Sequence, residues 1–505
     1  MGSKVVRGAA ILLVAGVAAR VLGFFYRAYL ARAIGAQGMG LVAMAYPLWG
    51  MALNLASMGI PVAVAKVVAE RAALPERSLE NVLRFAFAFV LAAGTLLAVA
   101  LVFSAPFLTH RLLSDPRSLY PLLAAVPLVL VIPASLVLRG YFQGLQEMHP
   151  LAVATVLEQV VRIAGVVYLV RYFLPYGLAW GAVGAMVAVA LGEVSGLVVL
   201  LVFYRLTPRP LRPPRERRDA FGPTAREVLS LGTPVTGTRI VGSFTEIADA
   251  TIIPRRLEVA GFTRDAATAF YGNLSAMAMP LVYFPTVLTG ALASALMPAI
   301  SEAEAAHGME AVRRRTQQAL HLTFLVAFPA ATLYVALGHE LGQVIYGQRQ
   351  VGAMLVPLSL AAPCLYLDNT LAAVLRGLGR PALPMRNGLV GSFVRLALIF
   401  ALTGVVGSGA SLVLFAFALD IAVTCALDTL SVWRLVRPRL AWGPSVGLPL
   451  AASALMALAC RVGLGVLGSA ARAAPPAVAT AVAAGVAVYA AVVYLAGGLR
   501  AAAAS

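Results

Sequence analysis

The 505-residue chain has the composition of a membrane protein, because 61% of its residues are hydrophobic and only 12% are charged. Soluble domains carry about 25% charged residues, so the composition excludes a soluble globular fold. The formal net charge of +18 does not indicate nucleic-acid binding here, since the basic residues of membrane proteins collect in cytoplasmic loops.

Apolar segments long enough to cross a bilayer, about 20 residues each, predict an all-α polytopic membrane protein. Fourteen transmembrane helices are predicted, at 8–31, 39–60, 82–104, 119–140, 150–172, 178–204, 228–252, 268–297, 318–337, 351–374, 384–404, 408–433, 443–464 and 475–497. Most of the 39 basic residues then lie in loops on the same side as both chain ends. The positive-inside rule therefore predicts a multi-pass protein of the cytoplasmic membrane with both termini in the cytoplasm.

A basic, proline-rich segment divides the predicted helices into two groups of six. Residues 205–227 begin with RLTPRPLRPPRERRDAFGPTAR, whose prolines and like charges predict an unstructured cytoplasmic linker. We expect an N-terminal six-helix lobe at 1–204, a C-terminal six-helix lobe at 228–434, and two additional transmembrane helices within 435–505.

The two groups of helices repeat each other in sequence. VLRG begins at Val137 near the end of the fourth helix and again at Val374 near the end of the tenth. GIPVAVAK at Gly59 ends the second helix, and LMPAISEA at Leu296 ends the eighth. Matching junctions six helices apart predict parallel repeats, and hence two pseudo-symmetric lobes around a central cavity.

Two arginines lie inside the first predicted helix. Arg20 falls near the middle of that span, where an arginine costs about 2.5 to 3.5 kcal/mol unless it meets water, a counter-ion or a polar ligand. Arg27 follows seven residues later and projects within about 20° of the same direction. These side chains predict a cationic surface suited to an anionic group such as a phosphate. The alternative is that Arg27 reaches the headgroups and a neighbouring helix neutralises Arg20.

Three further charged residues of the predicted spans are candidates for substrate binding. Glu158 and Arg162 are four residues apart in the fifth helix, with the acid first, as in a favourable helical ion pair. A neutral pair that only packs is therefore as consistent with the pattern as a substrate role. Arg395, in the eleventh helix, corresponds to Arg162 in the repeat and has no partner on its own helix.

Glu246 and Asp249 lie three residues apart in the seventh predicted helix. In an apolar setting two such carboxylates share a proton, bind a cation or meet an arginine. They are the candidates for coupling to Na⁺ or H⁺. The alternative is pairing with Arg239, or with Arg255 and Arg256.

Motifs for enzymatic chemistry are missing from the sequence. It contains no glycine-rich phosphate loop with Lys-Ser/Thr, no histidine cluster and no pair of acids in a long loop. We therefore expect a transporter that uses an ion gradient, the membrane potential or the gradient of its own substrate, not an enzyme. No cofactor or metal site is expected beyond a possible coupling ion.

Five segments resemble one branch of a known transporter superfamily. They read RVLGFFYRAYLARAIGAQGMG, ASMGIPVAVAKVVAE, LRGYFQGLQEMHP with LEQVVR, YFPTVLTGALASALMPAISEA, and LRGLGRPALPMRNGLVGSFVRL. Together they resemble the stage V sporulation protein B and polysaccharide biosynthesis branch of the multidrug/oligosaccharidyl-lipid/polysaccharide exporters, close to the lipid II flippases. The resemblance implies two six-helix lobes in a V, two trailing helices, and movement of a lipid-linked sugar headgroup across the cytoplasmic membrane.

The resemblance also bears on the substrate-binding residues. Lipid II flippases use arginines of the first helix, and Arg20 and Arg27 match that motif with one extra residue between them. Where those flippases have essential arginines in the second and eighth helices, this chain has Asn54 and Asn273. That departure favours the broader class of lipid-linked oligosaccharides or peptidoglycan precursors over lipid II itself. The predicted substrate-binding residues are Arg20, Arg27, Asn54, Glu158, Arg162, Asn273 and Arg395.

The resulting prediction is a monomeric flippase that binds membrane lipids and a polyprenyl-pyrophosphate sugar but no nucleic acid, and that works by alternating access. One alternative is a drug or cation antiporter of the same superfamily, for which an acidic binding surface is expected. Another is a non-transporting scaffold for envelope or spore-coat synthesis. A membrane glycosyltransferase is disfavoured by the short external loops.

Overall fold

The computed structural model describes residues 2–72, 79–206, 221–402, 409–466 and 474–497. Helices make up nearly all of these residues, and no β-strand occurs among them. The α-helices are α1 (Gly2–Ser57), α2 (Ile60–Ala72), α3 (Leu79–Arg111), α4 (Leu119–Ala125), α5 (Leu128–Gly144), α6 (His149–Phe173), α7 (Leu178–Leu206), α8 (Phe221–Val259), α9 (Arg264–Tyr271), α10 (Met279–Tyr283), α11 (Thr286–Tyr346), α12 (Arg349–Gly377), α13 (Ala382–Leu402), α14 (Gly409–Leu435), α15 (Leu448–Val466) and α16 (Pro475–Leu495). The predicted all-α polytopic fold is confirmed.

Two of the helices are long because each bends at a glycine instead of ending there. Gly35 in α1 has φ 66° and ψ −176°, and Gly308 in α11 has φ 73° and ψ −172°. Glycine adopts such positive φ values without a steric penalty. The bends lie between the first and second predicted helices and between the eighth and ninth. The first two predicted spans therefore form one bent helix, α1, whereas α11 contains the ninth span and only the end of the eighth, whose earlier part is divided among α9, a π-helical turn and α10.

Eleven helical segments of the described residues are long and apolar enough to cross a membrane. Two of them, Val14–Ala72 with 59 residues and Thr286–Tyr346 with 61 residues, are each long enough for two crossings of about 20 residues. The predicted number of about fourteen spans therefore agrees approximately with the structure.

The helices form two compact units. The first comprises Met1–Arg255 with Arg264–Gly272, and the second comprises Arg256–Thr263 with Asn273–Ser505. Most of α8 belongs to the first of these units. Asn54 of α1 donates a hydrogen bond to Ser243 of α8 at 3.0 Å, and Arg255 donates to the carbonyl oxygen of Arg111. Residues 207–220, the main part of the predicted linker, lie outside the described residues, and the lobe boundaries at 204, 228 and 434 stay predictions.

The VLRG junction of the first unit packs against the start of α2. Its glycine, Gly140, lies so close to α2 that an added Cβ would be 2.5 Å from the carbonyl oxygen of Pro61. Buried apolar side chains of α2, α3, α5, α6 and α7 surround this contact, among them Val64, Phe142 and Leu200. Only glycine allows the two backbones to approach this closely.

The second VLRG junction makes the corresponding contact in the second unit. A Cβ on Gly377 would lie 2.8 Å from the carbonyl oxygen of Met297 in α11. The hydroxyl of Ser301 also donates to the carbonyl oxygen of Gly377 at 2.7 Å. Each unit thus joins the VLRG glycine to the proline-containing segment that the sequence repeat pairs with it.

The last two helices pack on α11 within the second unit. Met456 and Cys460 of α15 meet Ala481 of α16 and Leu337 of α11 in one buried cluster. The hydroxyl of Tyr489 donates to the carbonyl oxygen of Leu325 at 2.8 Å. The additional helices are therefore attached by apolar contacts and a hydrogen bond from α16 to α11.

A buried aspartate fixes the loop after α3 and attaches α9 to the first unit. Asp115 is fully buried and accepts hydrogen bonds from the backbone N–H and the side chain of Arg117 and from the hydroxyl of Thr268. The same guanidinium reaches Asp265 of α9 at 2.5 Å. Burial raises the pKa of the Asp115 carboxyl, but the hydrogen bonds from Arg117 and Thr268 lower it by more, so that this pKa lies below its ordinary value.

We expect the contribution of Asp115 to stability to depend on pH. A carboxyl group whose pKa is lower in the folded state stabilises the fold above its unfolded pKa, and this stabilisation is lost as pH falls through the folded pKa. The thermal stability of the detergent-purified parent should exceed that of Asp115→Asn at neutral pH, and the difference should shrink on acidification. Asp265→Asn is the control, since the Asp265 side chain is largely exposed, and it should show a smaller difference at every pH. An Asp115→Asn difference that does not change with pH would contradict this assignment.

Candidate functional site

The first part of α1 presents three different faces. Arg20 and Arg27 are exposed, and neither makes a hydrogen bond or an ion pair with the part of the chain that the structure describes. The packed face carries Ala15, Ala19 and Leu30, and the exposed apolar face carries Val14, Val17, Val21 and Phe25. At 100° per residue the two arginines lie roughly 110° from the centre of the exposed apolar face. We call Arg20 and Arg27 the arginine face of α1.

Polar residues of α8 and of the second part of α1 belong to the same unit as the arginine face. The charges of Arg27 and Glu246 each act on the hydroxyl of Tyr46, so Tyr46 lies within electrostatic reach of both groups. Asn54 is held by its hydrogen bond to Ser243, one turn before Glu246 on α8. Asn54, predicted from the resemblance, and Glu246, predicted as a coupling residue, thus lie on the same unit as the arginine face.

The two predicted coupling residues have different surroundings. Glu246 is exposed, whereas Asp249 is half-buried and has a contact within the described part of the chain. Glu246 makes no ion pair with the described residues. The two carboxylates therefore differ in exposure and in contacts.

Sequence reasoning missed Gln159 of α6. Its Oε1 atom is buried and accepts no hydrogen bond from the described residues, and it lies 4.0 Å from the position of a Cβ on Gly23. Gly23 lies between Arg20 and Arg27 along α1, so the amide of Gln159 lies beside the arginine face. The available signal was an amide in the middle of an apolar span, next to Glu158, where a polar side chain needs a partner.

Glu158 and Arg162 belong to a buried network of two arginines and two glutamates. Arg162 pairs with Glu158 at 2.6 Å and with Glu193 of α7 at 2.7 Å, and Arg139 of the VLRG junction pairs with Glu158 at 2.9 Å. The four formal charges balance. Arg139 also donates to the hydroxyl of Thr155 at 2.8 Å. The predicted helical pair exists, and the balanced charges support the alternative that it packs α5, α6 and α7 together.

The predicted residues of the second unit also have protein partners. Arg395 of α13 pairs with Asp420 of α14 at 2.8 Å, and its guanidinium lies 4.5 Å from the ring centre of Phe417. Asn273 is buried in a π-helical turn, Gly272–Ala278, and donates to Gln350 at 3.2 Å. Both side chains therefore bind neighbouring helices of their own unit, and the assignment of both to substrate binding stays a prediction.

A comparison of sequences identifies the family. A model for "Polysaccharide biosynthesis protein" matches residues 5–304, and the MatE model matches residues 273–401. Stage V sporulation protein B of Bacillus subtilis (strain 168) is 35% identical over 419 residues, which cover 81% of this chain and 80% of that protein. The chain belongs to the polysaccharide biosynthesis protein family. Within the multidrug/oligosaccharidyl-lipid/polysaccharide superfamily it falls in the stage V sporulation protein B branch, close to the lipid II flippases.

Some of the proteins that this chain is similar to carry the names of transporters. Lipid II flippase MurJ of Bacillus subtilis (strain 168) is 25% identical over 423 residues, covering 79% of this chain and 77% of that protein. The solved structure of lipid II flippase MurJ in an inward closed conformation has a TM-score of 0.72 and 13% identity, covering 97% of this chain and 99% of that one. An inward-facing multidrug MATE transporter has a TM-score of 0.70 and 14% identity, covering 83% and 94%. At these identities the structural likeness shows the shared fold.

We expect Arg162 to be needed for stability and Arg20 to be dispensable for it. Arg162→Ala leaves Glu193 without its cationic partner, and removal of one member of a buried ion pair costs on the order of 3 kcal/mol. Arg20→Ala removes an exposed group with no ion pair among the described residues. Thermal unfolding of the detergent-purified proteins should therefore show a clearly lower Tm for Arg162→Ala and an unchanged Tm for Arg20→Ala.

The double variant Arg162→Ala with Glu193→Gln is the control for that comparison. It removes the unpaired charge, so it should recover part of the stability that Arg162→Ala loses. If Arg20→Ala lowers the Tm as much as Arg162→Ala, the arginine face is a structural feature of the fold.

Proposed function

We propose that the protein is a flippase that moves a lipid-linked sugar, a polyprenyl-pyrophosphate oligosaccharide or peptidoglycan precursor, across the cytoplasmic membrane. The observation that supports this proposal is the arginine face of α1, where two exposed guanidinium groups have no ion pair with the described residues. Guanidinium groups bind phosphate oxygens through paired, charge-assisted hydrogen bonds. A pyrophosphate has enough oxygens and charge to contact both.

The cost of an intramembrane arginine supports the same assignment. Arg20 projects from a different side of α1 than the exposed apolar side chains between Val14 and Phe25. An unpaired guanidinium inside a membrane requires water or an anion. Arg20 and Arg27 bind the pyrophosphate, Asn54 and Gln159 contribute polar contacts to the headgroup, and the polyprenyl chain stays in the lipid.

Transport by alternating access then exposes the arginine face first to one side of the membrane and then to the other. The protein acts as a monomer with both termini in the cytoplasm, and the driving force is an ion gradient or the membrane potential. Glu246 is the candidate coupling residue, because its exposed carboxylate makes no ion pair with the described residues. A cation bound there would change the charge near Tyr46, on which Arg27 also acts.

We expect Arg20→Ala and Arg27→Ala to lower the rate of flipping by at least about tenfold each, since a hydrogen bond to a charged group contributes on the order of 1.5 to 3 kcal/mol. The measurement uses the purified protein in liposomes with fluorescent polyprenyl-pyrophosphate sugars, whose headgroups are quenched from outside. Arg20→Lys and Arg27→Lys keep the charge but lose the paired geometry, and should retain part of the activity.

Arg84→Ala is the matched control for these variants. Arg84 is an exposed arginine near the start of α3 in the same unit, so its loss removes the same charge away from α1 and should leave flipping unchanged. Full activity of Arg20→Ala would contradict the proposal. If no substrate is flipped but a complex of envelope or spore-coat proteins still assembles in cells, the result would favour the scaffold alternative. Efflux of organic cations instead would favour an antiporter.

Ion coupling is tested in the same liposomes under imposed sodium, proton and potential gradients. Replacing Glu246 by glutamine or Asp249 by asparagine should weaken the dependence on the coupling ion while leaving Arg20-dependent binding of the substrate in place. Variants that keep the full sodium or proton dependence of the parent would remove both residues from the coupling mechanism.

A further inference from the structure

Two aspartates of the second unit meet inside the helix bundle. Asp368 of α12 and Asp428 of α14 lie close enough for each carboxyl group to act on the other, between helices that pack in one buried cluster. Asp428 is 1% exposed, and Asp368 is half-buried. Neither residue belongs to the predicted substrate-binding or coupling set, so the contact needs its own explanation.

The hydrogen bonds around this pair leave two buried oxygens without a donor. Asn387 of α13 donates its amide to Oδ1 of Asp428 at 2.6 Å. Oδ2 of Asp428 and Oδ1 of Asp368 are buried and accept no hydrogen bond from a donor in the described part of the chain. Buried acceptors of this kind are rare in folded proteins, and two negative charges in contact in a low-dielectric setting repel strongly.

The neighbouring helices supply other polar groups near the pair. Arg376 and Cys364 lie on α12, and Asp420 and Cys425 lie on α14; of these, Arg376 acts electrostatically on both aspartates and Asp420 acts on Asp368. α13 contributes the neutral amide of Asn387. α11 meets α12 near this level through the hydrogen bond between Thr323 and Thr370.

A shared proton accounts for these observations better than a bound metal ion. The described residues contain no group of three or more His, Cys, Asp and Glu side chains that could hold a metal. The amide of Asn387 donates to Asp428 and therefore favours the ionised form of that carboxylate. A proton on Asp368 supplies the donor that Oδ2 of Asp428 otherwise lacks. We infer that Asp368 and Asp428 form a proton-binding site that carries one proton and one negative charge.

Loss of that proton should separate α12 from α14. Two ionised carboxylates in contact repel, and the half-buried side of Asp368 gives water a route to hydrate them. The site therefore converts proton release into a change in packing between two helices of the second unit. This inference is independent of the proposed substrate, because it concerns helix contacts that can be measured without any substrate present.

The chain contains a native reporter of the distance between α12 and α14. Cys364 of α12 packs against the buried cluster that contains Cys425 of α14, and each thiol acts on the other. The two cysteines lie about one turn from Asp368 and Asp428, respectively. Oxidation by copper phenanthroline removes two electrons and two protons from the thiols and joins the sulfurs. The remaining thiols are then alkylated in denaturant and counted by mass spectrometry. Only Cys460 is alkylated in the cross-linked protein, whereas all three cysteines are alkylated without cross-linking.

The experiment measures the initial rate of cross-linking in the purified full-length protein as a function of pH. Raising the pH normally speeds thiol oxidation, because the thiolate is the reactive form. We expect the opposite for the parent, a several-fold loss of cross-linking rate from mildly acidic to mildly alkaline buffer, as the pair loses its proton. Asp428→Asn and Asp368→Asn leave only one carboxylate, so their rates should rise with pH.

Glu304→Gln is the matched control, since Glu304 is an exposed acid of α11 in the same unit, and it should keep the falling profile of the parent. Two substitutions are used because the Asp428 variant could fail to fold, and the Asp368 variant then still provides the comparison. The pH profile of the parent also tests the inference by itself. A parent rate that rises with pH would overturn the inference. Restoration of alkaline cross-linking by sodium chloride, but not by choline chloride, would overturn it in favour of a sodium site.

Discussion

The cost of placing a charge inside a membrane organises this structure. Each charged side chain within a span needs an opposite charge, a hydrogen-bond partner, water or a bound ligand. Arg162 and Arg395 meet this requirement with carboxylates of neighbouring helices. Arg20 and Arg27 do not meet it with any residue that the structure describes. Arginines that look alike in the sequence are thus divided into those that hold helices together and those that remain available to a ligand.

The division follows from the geometry of helix contacts. Arg139 belongs to the VLRG junction, which Gly140 brings against Pro61, and from there it reaches Glu158. The close approach at glycine and the ion network therefore stabilise the same group of helices. The second unit has the same glycine contact at Gly377, but its intramembrane charges are arranged differently, with Arg395 on Asp420 and a separate pair of aspartates. The two repeats therefore share the glycine contact between backbones but differ in their charged residues.

Much of the fold could be predicted from the sequence, because apolar segment length and repeated junctions are local features. The bends at Gly35 and Gly308 were not predicted, since a glycine continues or ends a helix according to its tertiary contacts. The site was harder to predict for the same reason. The i,i+4 spacing of Glu158 and Arg162 indicated their pairing, but the contribution of Glu193 requires knowledge that α6 lies against α7. Gln159 was not predicted, because the sequence of its own helix does not show that its side chain lies beside Gly23 of α1.

The acids of the two units have different surroundings. A single exposed carboxylate such as Glu246 can exchange a cation with water, but it has no second acid in contact that would force a proton to be shared. Asp368 and Asp428 have that contact, and Asn387 fixes which of them accepts. The buried pair is therefore better suited to a response to protons than Glu246, because a change of one charge in the pair alters helix packing. The residues proposed to bind the substrate thus lie on α1 and α6, whereas the pair proposed to share a proton lies on α12 and α14.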